Sequence, residues 1–318
     1  MKNNSRVARY ILVTMIFLSM PIRAQENTSD IKQVKLKHHE PSFLGYTKDD
    51  DDRRFMDFTI SLQHPVFYQD KGLFYGDFLG KADVYMIPYF AFTGRFGQYI
   101  TTRDSSPVVT KRFNPKLFFR FAEDFPLRGE SPDRYIDLEY AHESNGQHIN
   151  TLGTFQTMAQ DLGGNQEFAK DYISRGWDYL GFTLKKQLGD SNGDNGWFAY
   201  LSRKWYCGCR MQQNIEEFFD WEGSREIRSI KQVSGWRVMA RHTHKGNQVV
   251  DRVVMVLDTG VWNTLRYNTY RIELGFHPVS QFFGVPFVFW YRDGYLSDIA
   301  QYYKKVHSYG AAFVFETF

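Results

Sequence analysis

Short segments in which apolar and polar residues alternate recur along most of the chain, and this alternation constrains the fold more than any other feature. In Tyr135–His142 the even positions up to Tyr140 are apolar, whereas Asp137 and Glu139 are charged. Successive side chains of a β-strand point to opposite faces, so the pattern predicts a strand with one apolar and one polar face. Turn-forming clusters such as 189–196 separate the segments, and hardly any amphipathic helix intervenes. The sequence therefore predicts an all-β fold.

The number and length of these segments favour a closed barrel in a membrane. Aromatic residues make up 18% of the chain, yet its mean hydropathy is −0.48 and 24% of its residues are charged, as expected for an apolar outer belt around a polar interior. We therefore predict a transmembrane antiparallel β-barrel of about 12 strands over residues 55–318. The predicted strands lie near 55–65, 84–96, 114–124, 133–144, 176–188, 197–206, 230–243, 250–260, 265–277, 282–293 and 308–318.

The first 24 residues have the character of a secretory signal peptide. Lys2, Arg6 and Arg9 precede an apolar run over residues 10–20, and Ala24 supplies a small residue before a cleavage site. The run is too short to span a bilayer as a helix. Export from the cytoplasm is therefore predicted, and with the barrel it indicates a bacterial outer membrane.

Residues 25–54 show no periodicity and contain the charge run Lys48–Arg54. A run of this kind is usually solvated chain, and it lacks the glycine turn and distal glutamate of a calcium-binding loop. We predict that residues 25–54 form a periplasmic N-terminal arm.

Net charge and cysteine content exclude two classes of function. The predicted signal peptide holds four basic residues and no acidic one, and without those four cations the formal net charge of +3 falls to about −1. No nucleic-acid partner is therefore expected. Cys207 and Cys209 are two residues apart in a strand-like segment, a spacing that favours a free pair over a disulfide or a metal site.

Three residues suited to hydrolysis share the apolar face of the predicted strands. His142 follows the apolar positions of its strand, and Ser144 continues the same parity. In the next strand Asp178 has the parity of Leu180, Phe182 and Leu184. Ionisable groups on the lipid side of a barrel are costly unless they pair near the interface. A nucleophile, a base and an orienting acid at such a place predict a lipid substrate.

The segment around His142 resembles the hallmark of the outer membrane phospholipase A family, Tyr-x-His-x-Ser-Asn-Gly, which reads here as Tyr140–Gly146. Two further blocks fit, Ser105–Pro107 with Phe113–Phe118 upstream and Ser174–Asp178 downstream. Phe58–Pro65 is similar to the family's first strand. The resemblance spans most of the chain after the predicted signal peptide and is weaker between about 205 and 280.

The resemblance implies a twelve-stranded barrel that hydrolyses acyl esters of glycerophospholipids, uses calcium and is active as a homodimer. Ser144 would be the nucleophile, His142 the general base and Asp178 the third member, while Gly146 would offer its backbone N–H to the oxyanion. The implied calcium ligands are the Ser174 hydroxyl, the Gln147 carbonyl and, from the dimer partner, Ser105 or the neighbouring Ser106.

This chain departs from the family pattern at three places that bear on these implied roles. The family's third member is an asparagine, where this chain has Asp178 after Trp177. The stretch 148–172 is longer than the family's usual link between the two active-site strands, which predicts an extra external loop. A glutamine that supports the family's dimer falls at Gly94.

Two alternative functions remain open on the sequence. One is a catalytically silent barrel, either a porin or a structural protein that kept the fold. The other is a lipid A deacylase, which would use the same face and the same chemistry. An intact set of Ser144, His142 and Asp178 favours an enzyme over the first.

Overall fold

The computed structural model describes residues 36–66, 74–78, 81–103, 105–122, 134–189, 195–207, 218–244 and 249–315. The predicted signal peptide and the first part of the predicted arm, up to residue 35, lie outside the described residues. None of the helices within these ranges is long and apolar enough to cross a bilayer.

Thirteen strands and three short α-helices make up most of the described structure. The strands are β1 (Ser42–Asp49), β2 (Arg54–Pro65), β3 (Phe74–Phe78), β4 (Lys81–Tyr99), β5 (Val108–Ala122), β6 (Arg134–Ser144), β7 (Gly176–Gly189), β8 (Asn195–Cys207), β9 (Gly235–His244), β10 (Val250–Gly260), β11 (Thr269–Phe276), β12 (Phe287–Gly294) and β13 (Val306–Phe315). The helices are α1 (Leu152–Asp161), α2 (Gln166–Lys170) and α3 (His277–Phe283).

Twelve of these strands close into an antiparallel barrel, as the sequence predicted. Strand β13 pairs with β1, β1 pairs with β2, and β2 pairs with the second half of β4, which closes the ring. The short β3 pairs with the first residues of β4, on the same edge of β4 that pairs with β2 further along the strand. All ladders are antiparallel, which fits strands joined by hairpins and loops.

The predicted boundary between arm and barrel at residues 54 and 55 is wrong. Strand β1 begins at Ser42 and pairs with β13 from Ser42 to Asp49. The charge run is the turn between β1 and β2, where Asp49 Oδ1 accepts N–H bonds from Asp51 at 3.1 Å and Arg53 at 2.9 Å. The alternation of β1 is weak in the sequence because its inward positions include Gly45, where a Cβ would meet the Ala311 carbonyl at 2.5 Å.

The two faces of the barrel differ as the alternation requires. Large apolar side chains on the outer wall stay exposed in the isolated chain, among them Ile60, Leu117, Leu138, Leu180, Trp205, Met255, Ile272, Phe289 and Tyr309. The interior carries ion pairs, including Lys116 with Glu40, Arg120 with Asp137, Lys204 with Glu143 and Arg271 with Glu273. An apolar outer wall around a polar interior is the arrangement of barrels embedded in lipid.

The two ends of the barrel are unequal. The register Ser42↔Phe315 puts the described N- and C-terminal strand ends together, and the end of β6 and the start of β7 lie at the opposite end. There Trp177 of β7 and residues of the connecting loops form a buried apolar cluster, whose loop members are Ile227, Ile230, Val233, Tyr267, Ile299 and Tyr302. Such a cluster gives the loops a defined arrangement around the strand ends that carry the predicted site.

The prediction of a free cysteine pair is wrong, because Cys207 is disulfide-bonded. Cys207 is the last residue of strand β8. Cys209 lies outside the described residues.

Candidate active site

Strands β6 and β7 bring the predicted catalytic side chains onto one patch of the outer wall. Their register places His142 opposite Asp178 and Ser144 opposite Gly176. Leu138 and Leu180, which share the parity of His142 and Asp178, are about half exposed to the barrel's surroundings. Since side chains alternate between the two faces, the polar group lies on the apolar outer wall, at the end of its strands.

His142 and Asp178 form a direct pair. The distance from His142 Nδ1 to Asp178 Oδ1 is 2.7 Å. The side chains are 16% and 2% exposed, so the carboxylate is buried and the imidazole is partly accessible. A carboxylate that accepts the Nδ1–H bond leaves Nε2 free to accept a proton, and it stabilises the imidazolium that results.

Ser144 lies two residues after His142, half buried, on the same face. Its Oγ makes no hydrogen bond with any of the described residues, so the structure joins two of the three predicted members directly. Contacts of a nucleophile with its base are often loose without substrate and tighten when substrate binds. Strand parity nevertheless keeps Ser144 beside His142 on the outer wall.

Asn145 clamps the loop that follows Ser144. Its Oδ1 accepts the Arg175 N–H at 3.0 Å and the Gln147 N–H at 3.3 Å, and its Nδ2 donates to the Ile173 carbonyl at 2.7 Å. Asn145 is 1% exposed, and these bonds satisfy its buried amide through local backbone. No role for Asn145 was predicted from the sequence, although asparagine in a Ser-Asn-Gly turn is a known signal for bonds to nearby backbone.

Gly146 occupies a backbone conformation that favours glycine. Its φ is +59°, and a Cβ there would lie 3.0 Å from Phe113 Cε2. No hydrogen bond of the described residues uses the Gly146 N–H, so this donor is available to a ligand beside Ser144. A backbone amide next to a nucleophile is the usual donor to an oxyanion.

The residues implied as calcium ligands lie in two places. The Asn145 clamp holds Gln147 beside residues 173–175, so the Gln147 carbonyl and the Ser174 hydroxyl belong to neighbouring segments. None of the described hydrogen bonds uses either oxygen. Two neutral oxygens that accept no hydrogen bond from the described residues suit a hard cation, which takes six to eight oxygen ligands in all.

Ser105 belongs to the loop between β4 and β5, where Ser105 and Ser106 have φ of +60° and +43°. This loop is fastened to the long β6–β7 connection through Arg103, which bonds the Asp171 carboxylate. The role of Ser105 as a ligand supplied by a partner chain stays a prediction.

The predicted insertion 148–172 forms α1 and α2. Thr151 caps α1 by accepting the Thr154 N–H at 3.2 Å, and Asn165 caps α2 by accepting the Phe168 N–H at 3.0 Å. Phe155 packs on Trp221 with ring centroids 5.1 Å apart. The insertion therefore packs on the loop before β9 and has a hydrophobic contact of its own.

The structure is thus a twelve-stranded antiparallel barrel that carries a histidine, a buried carboxylate and a serine on its apolar outer wall. Solved structures share this fold. The structure matches outer membrane phospholipase A from Escherichia coli with a TM-score of 0.60 at 17% identity, over 89% of this chain and 100% of that one. It matches the calcium-bound dimer of the Salmonella typhi outer membrane phospholipase with a TM-score of 0.56 at 16% identity, over 92% and 96% of the two chains.

An active-site asparagine-to-alanine mutant of the Escherichia coli protein also matches, with a TM-score of 0.56 at 15% identity over 92% of this chain and 95% of that one. No family model and no curated protein sequence matches the chain. At these identities the likeness establishes the fold of outer membrane phospholipase A for this chain.

Proposed function

We propose that the chain is an outer-membrane hydrolase that cleaves acyl ester bonds of glycerophospholipids. The observation that carries this proposal is the 2.7 Å contact between His142 Nδ1 and Asp178 Oδ1 on the apolar outer wall, with Ser144 beside it. An ionisable pair in that position is costly to keep unless it serves a reaction at the lipid interface. The fold shared with outer membrane phospholipase A supports the same reaction class.

In the first half of the reaction, Ser144 Oγ attacks the acyl carbonyl carbon while its proton moves to His142 Nε2. Asp178 stabilises the imidazolium through Nδ1. The bond between the acyl carbon and the glycerol oxygen then breaks, and His142 returns the proton to the departing glycerol alkoxide. The products are a lysophospholipid and an ester between the acyl group and Ser144.

In the second half, His142 accepts a proton from water while the water oxygen attacks the ester carbonyl. The bond between the acyl carbon and Ser144 Oγ then breaks, His142 returns the proton to Ser144 Oγ, and the fatty acid leaves. Each half passes through a tetrahedral oxyanion beside the Gly146 N–H. The left-handed backbone at Gly146 and the Asn145 clamp fix the direction of that N–H before substrate arrives.

We propose that calcium binds to the Gln147 carbonyl and the Ser174 hydroxyl, with Ser105 or Ser106 of a partner subunit. When bound, the cation supplies positive charge beside the developing oxyanion. Two uncommitted oxygens on segments held together by Asn145 support this assignment.

We also propose a homodimer, which the ligand from a partner chain would require. The Salmonella typhi neighbour is a dimer with bound calcium. On the outer wall of this chain Gly94 lies between Phe92 and Phe96, whose rings would lie 3.1 Å from a Cβ at Gly94. The surface at Gly94 is thus apolar where the family has a glutamine. Cross-linking in micelles with and without calcium tests whether the chain forms the homodimer.

The proposed activity is tested by fatty-acid release from phosphatidylcholine in mixed micelles with calcium. Wild-type protein is expected to release fatty acid, and Ser144→Ala is expected to lose it. Ser202→Ala serves as the matched control, since Ser202 lies on β8 away from β6 and is expected to keep full activity. Unchanged release by Ser144→Ala would contradict the proposal.

The same preparation separates the two alternatives. A catalytically silent barrel would release nothing from any lipid, and its interior space, a cavity of about 290 Å³, would have to serve a passive role. A lipid A deacylase would release acyl chains from lipid A and leave phosphatidylcholine intact.

A further inference from the structure

Strand β5 carries a proline opposite the proposed catalytic histidine. The pairs Phe113↔Ser144 and Lys116↔Ala141 set the register, which places Pro115 opposite His142. Proline has no N–H and cannot donate to a ladder, and proline inside a sheet normally leaves an acceptor unpaired. The acceptor in question here is the carbonyl of His142.

The neighbouring side chain supplies the missing donor. Asn114 Nδ2 donates to the His142 carbonyl at 2.8 Å. Asn114 faces the barrel interior and is 6% exposed, as its parity with the buried Lys116 and Phe118 requires. A side-chain amide therefore takes the place of the backbone N–H at this one position of the β5–β6 ladder.

A second residue fixes the orientation of the Asn114 amide. Tyr179, fully buried on β7, donates its hydroxyl hydrogen to Asn114 Oδ1 at 3.2 Å. The carboxamide is thus held at both ends, with its oxygen facing Tyr179 and its nitrogen facing the His142 carbonyl. A buried amide satisfied in this way has a single orientation.

We propose that Asn114 is a positioning residue for His142, acting through the backbone from inside the barrel. Asn114 contacts neither the outer wall nor a substrate there. It sets the place of the His142 peptide, and with it the direction in which the imidazole meets Ser144 and Asp178. This inference rests on the proposed hydrolase function and adds to it a residue that lies on the opposite face of the sheet from the chemistry.

Pro115 allows a direct test. Replacing Pro115 by alanine restores a backbone N–H at position 115, which is the donor that the Asn114 amide replaces. Asn114→Ala is expected to lower kcat for phospholipid about tenfold to a hundredfold with KM unchanged, since small displacements of a base cost rate more than binding. Pro115→Ala alone is expected to keep activity near that of wild type. The double variant N114A/P115A is expected to regain most of the kcat lost in N114A, because the backbone N–H gained at position 115 then bonds the His142 carbonyl.

Two further variants make the result specific. Tyr179→Phe leaves the Asn114 amide in place and removes its anchor, and it is expected to lower kcat about twofold to fivefold. Asn268→Ala is the matched control, because Asn268 Nδ2 also donates to a backbone carbonyl, that of Leu265 in an external loop, and it is expected to leave kcat unchanged. A wild-type kcat in N114A, or a loss that P115A does not restore, would overturn the inference.

Stability measurements separate failure of this inference from failure of the proposed function. If wild-type protein has no hydrolase activity, the proposed function fails. The urea concentration at the unfolding midpoint still measures how much the hydrogen bond to the His142 carbonyl stabilises the β5–β6 ladder. N114A is then expected to lower that midpoint and P115A to restore it in the double variant. Additive effects of the two substitutions would show that Asn114 does not replace the ladder bond.

Discussion

His142 Nδ1 lies 2.7 Å from Asp178 Oδ1 across the β6–β7 ladder, on the wall that also carries Leu138 and Leu180. The Asp178 side chain is 2% exposed. A carboxylate buried at an apolar surface is tolerated when it is paired and hydrogen-bonded, and His142 provides that pairing. The same contact gives the imidazole the orientation that a general base needs.

The pair predicts different outcomes for two substitutions of Asp178. Asp178→Asn is expected to keep kcat within about tenfold of wild type, because the amide oxygen still accepts the Nδ1–H bond and loses only the charge-assisted part of it. Asp178→Ala removes the acceptor and is expected to lower kcat about a thousandfold. Fatty-acid release measured over a range of pH checks both variants, and total loss in Asp178→Asn would show that the site depends on the carboxylate.

Gly146→Ala is expected to lower kcat about tenfold to a hundredfold, because it strains the left-handed backbone and brings a Cβ to 3.0 Å from Phe113 Cε2, which moves the N–H donor. Gly163→Ala is the matched control. Gly163 has φ of +70° in the turn after α1, and a Cβ added there would meet nothing within 4 Å. Comparable losses of activity in the two variants would argue against a role for the Gly146 N–H.

Asn145→Ala is expected to destabilise the site end of the barrel by about 2 to 4 kcal/mol, because it removes the acceptor of the Arg175 N–H bond and the donor to the Ile173 carbonyl, both at buried residues. Release of fatty acid should fall with it, since Gln147 and the loop to Ser174 lose their common anchor. Thermal unfolding in detergent micelles measures the change. Asn150→Ala, at an exposed position of the same loop, is expected to melt like wild type.

Removal of calcium is expected to stop turnover and leave the barrel folded, since the barrel is held by its ladders and interior ion pairs. Activity should return when calcium is added back, and magnesium should substitute poorly because it requires a tighter octahedral ligand set. Ser174→Ala is expected to raise the calcium concentration for half-maximal activity about tenfold. Hydrolysis that continues in excess chelator would remove Ser174 and Gln147 from the site.

The loops at the site end of the barrel contain a buried acid, which makes the stability of these loops depend on pH. Burial, together with the charge of Asp171, raises the pKa of Asp298 to about 7. Asp298 Oδ1 accepts the Ala300 N–H at 3.0 Å, while Oδ2 has no partner among the described residues. A raised pKa means that the folded state holds the proton more tightly than the unfolded state, so stability falls as pH rises from about 4 to about 7.

Asp298→Asn is therefore expected to melt higher than wild type at pH 8, by an amount corresponding to about 1 to 3 kcal/mol, and close to wild type at pH 4. Thermal melts in micelles at the two pH values measure the difference. Asp161→Asn, at the exposed end of α1, is the control and should change neither melt. An Asp298→Asn melt that tracks wild type at both pH values would contradict the buried-acid account.

Most of the barrel could be predicted from sequence because alternation is a local property of each strand. The eleven predicted strands all exist, with ends shifted by up to six residues. The predicted starts at 230 and 282 are wrong, because residues 230–232 form a 3-10 helix and residues 282–283 belong to α3. Strand β1 was not predicted because Gly45 and Thr47 fill its inward positions, where the neighbouring Ala311 leaves little space. The five-residue β3 was not predicted either, since so short a segment shows little periodicity.

The candidate site could likewise be predicted only where local alternation determines it. Strand parity predicted that His142 and Asp178 share the outer wall, and the register that brings them together agrees with it. The supporting residues were not predictable, because the bonds of Asn114 to His142 and Tyr179 link three strands and depend on register, which alternation alone does not fix.

The most direct test of the central claim is covalent labelling of the folded protein in micelles with a long-chain alkylsulfonyl fluoride, followed by peptide mass spectrometry. Such a probe reacts with a serine only where a base has activated its hydroxyl. The proposed site predicts one adduct, on Ser144, which forms in wild type and is lost in His142→Ala. An adduct on another serine, or labelling of Ser144 that does not require His142, would contradict it.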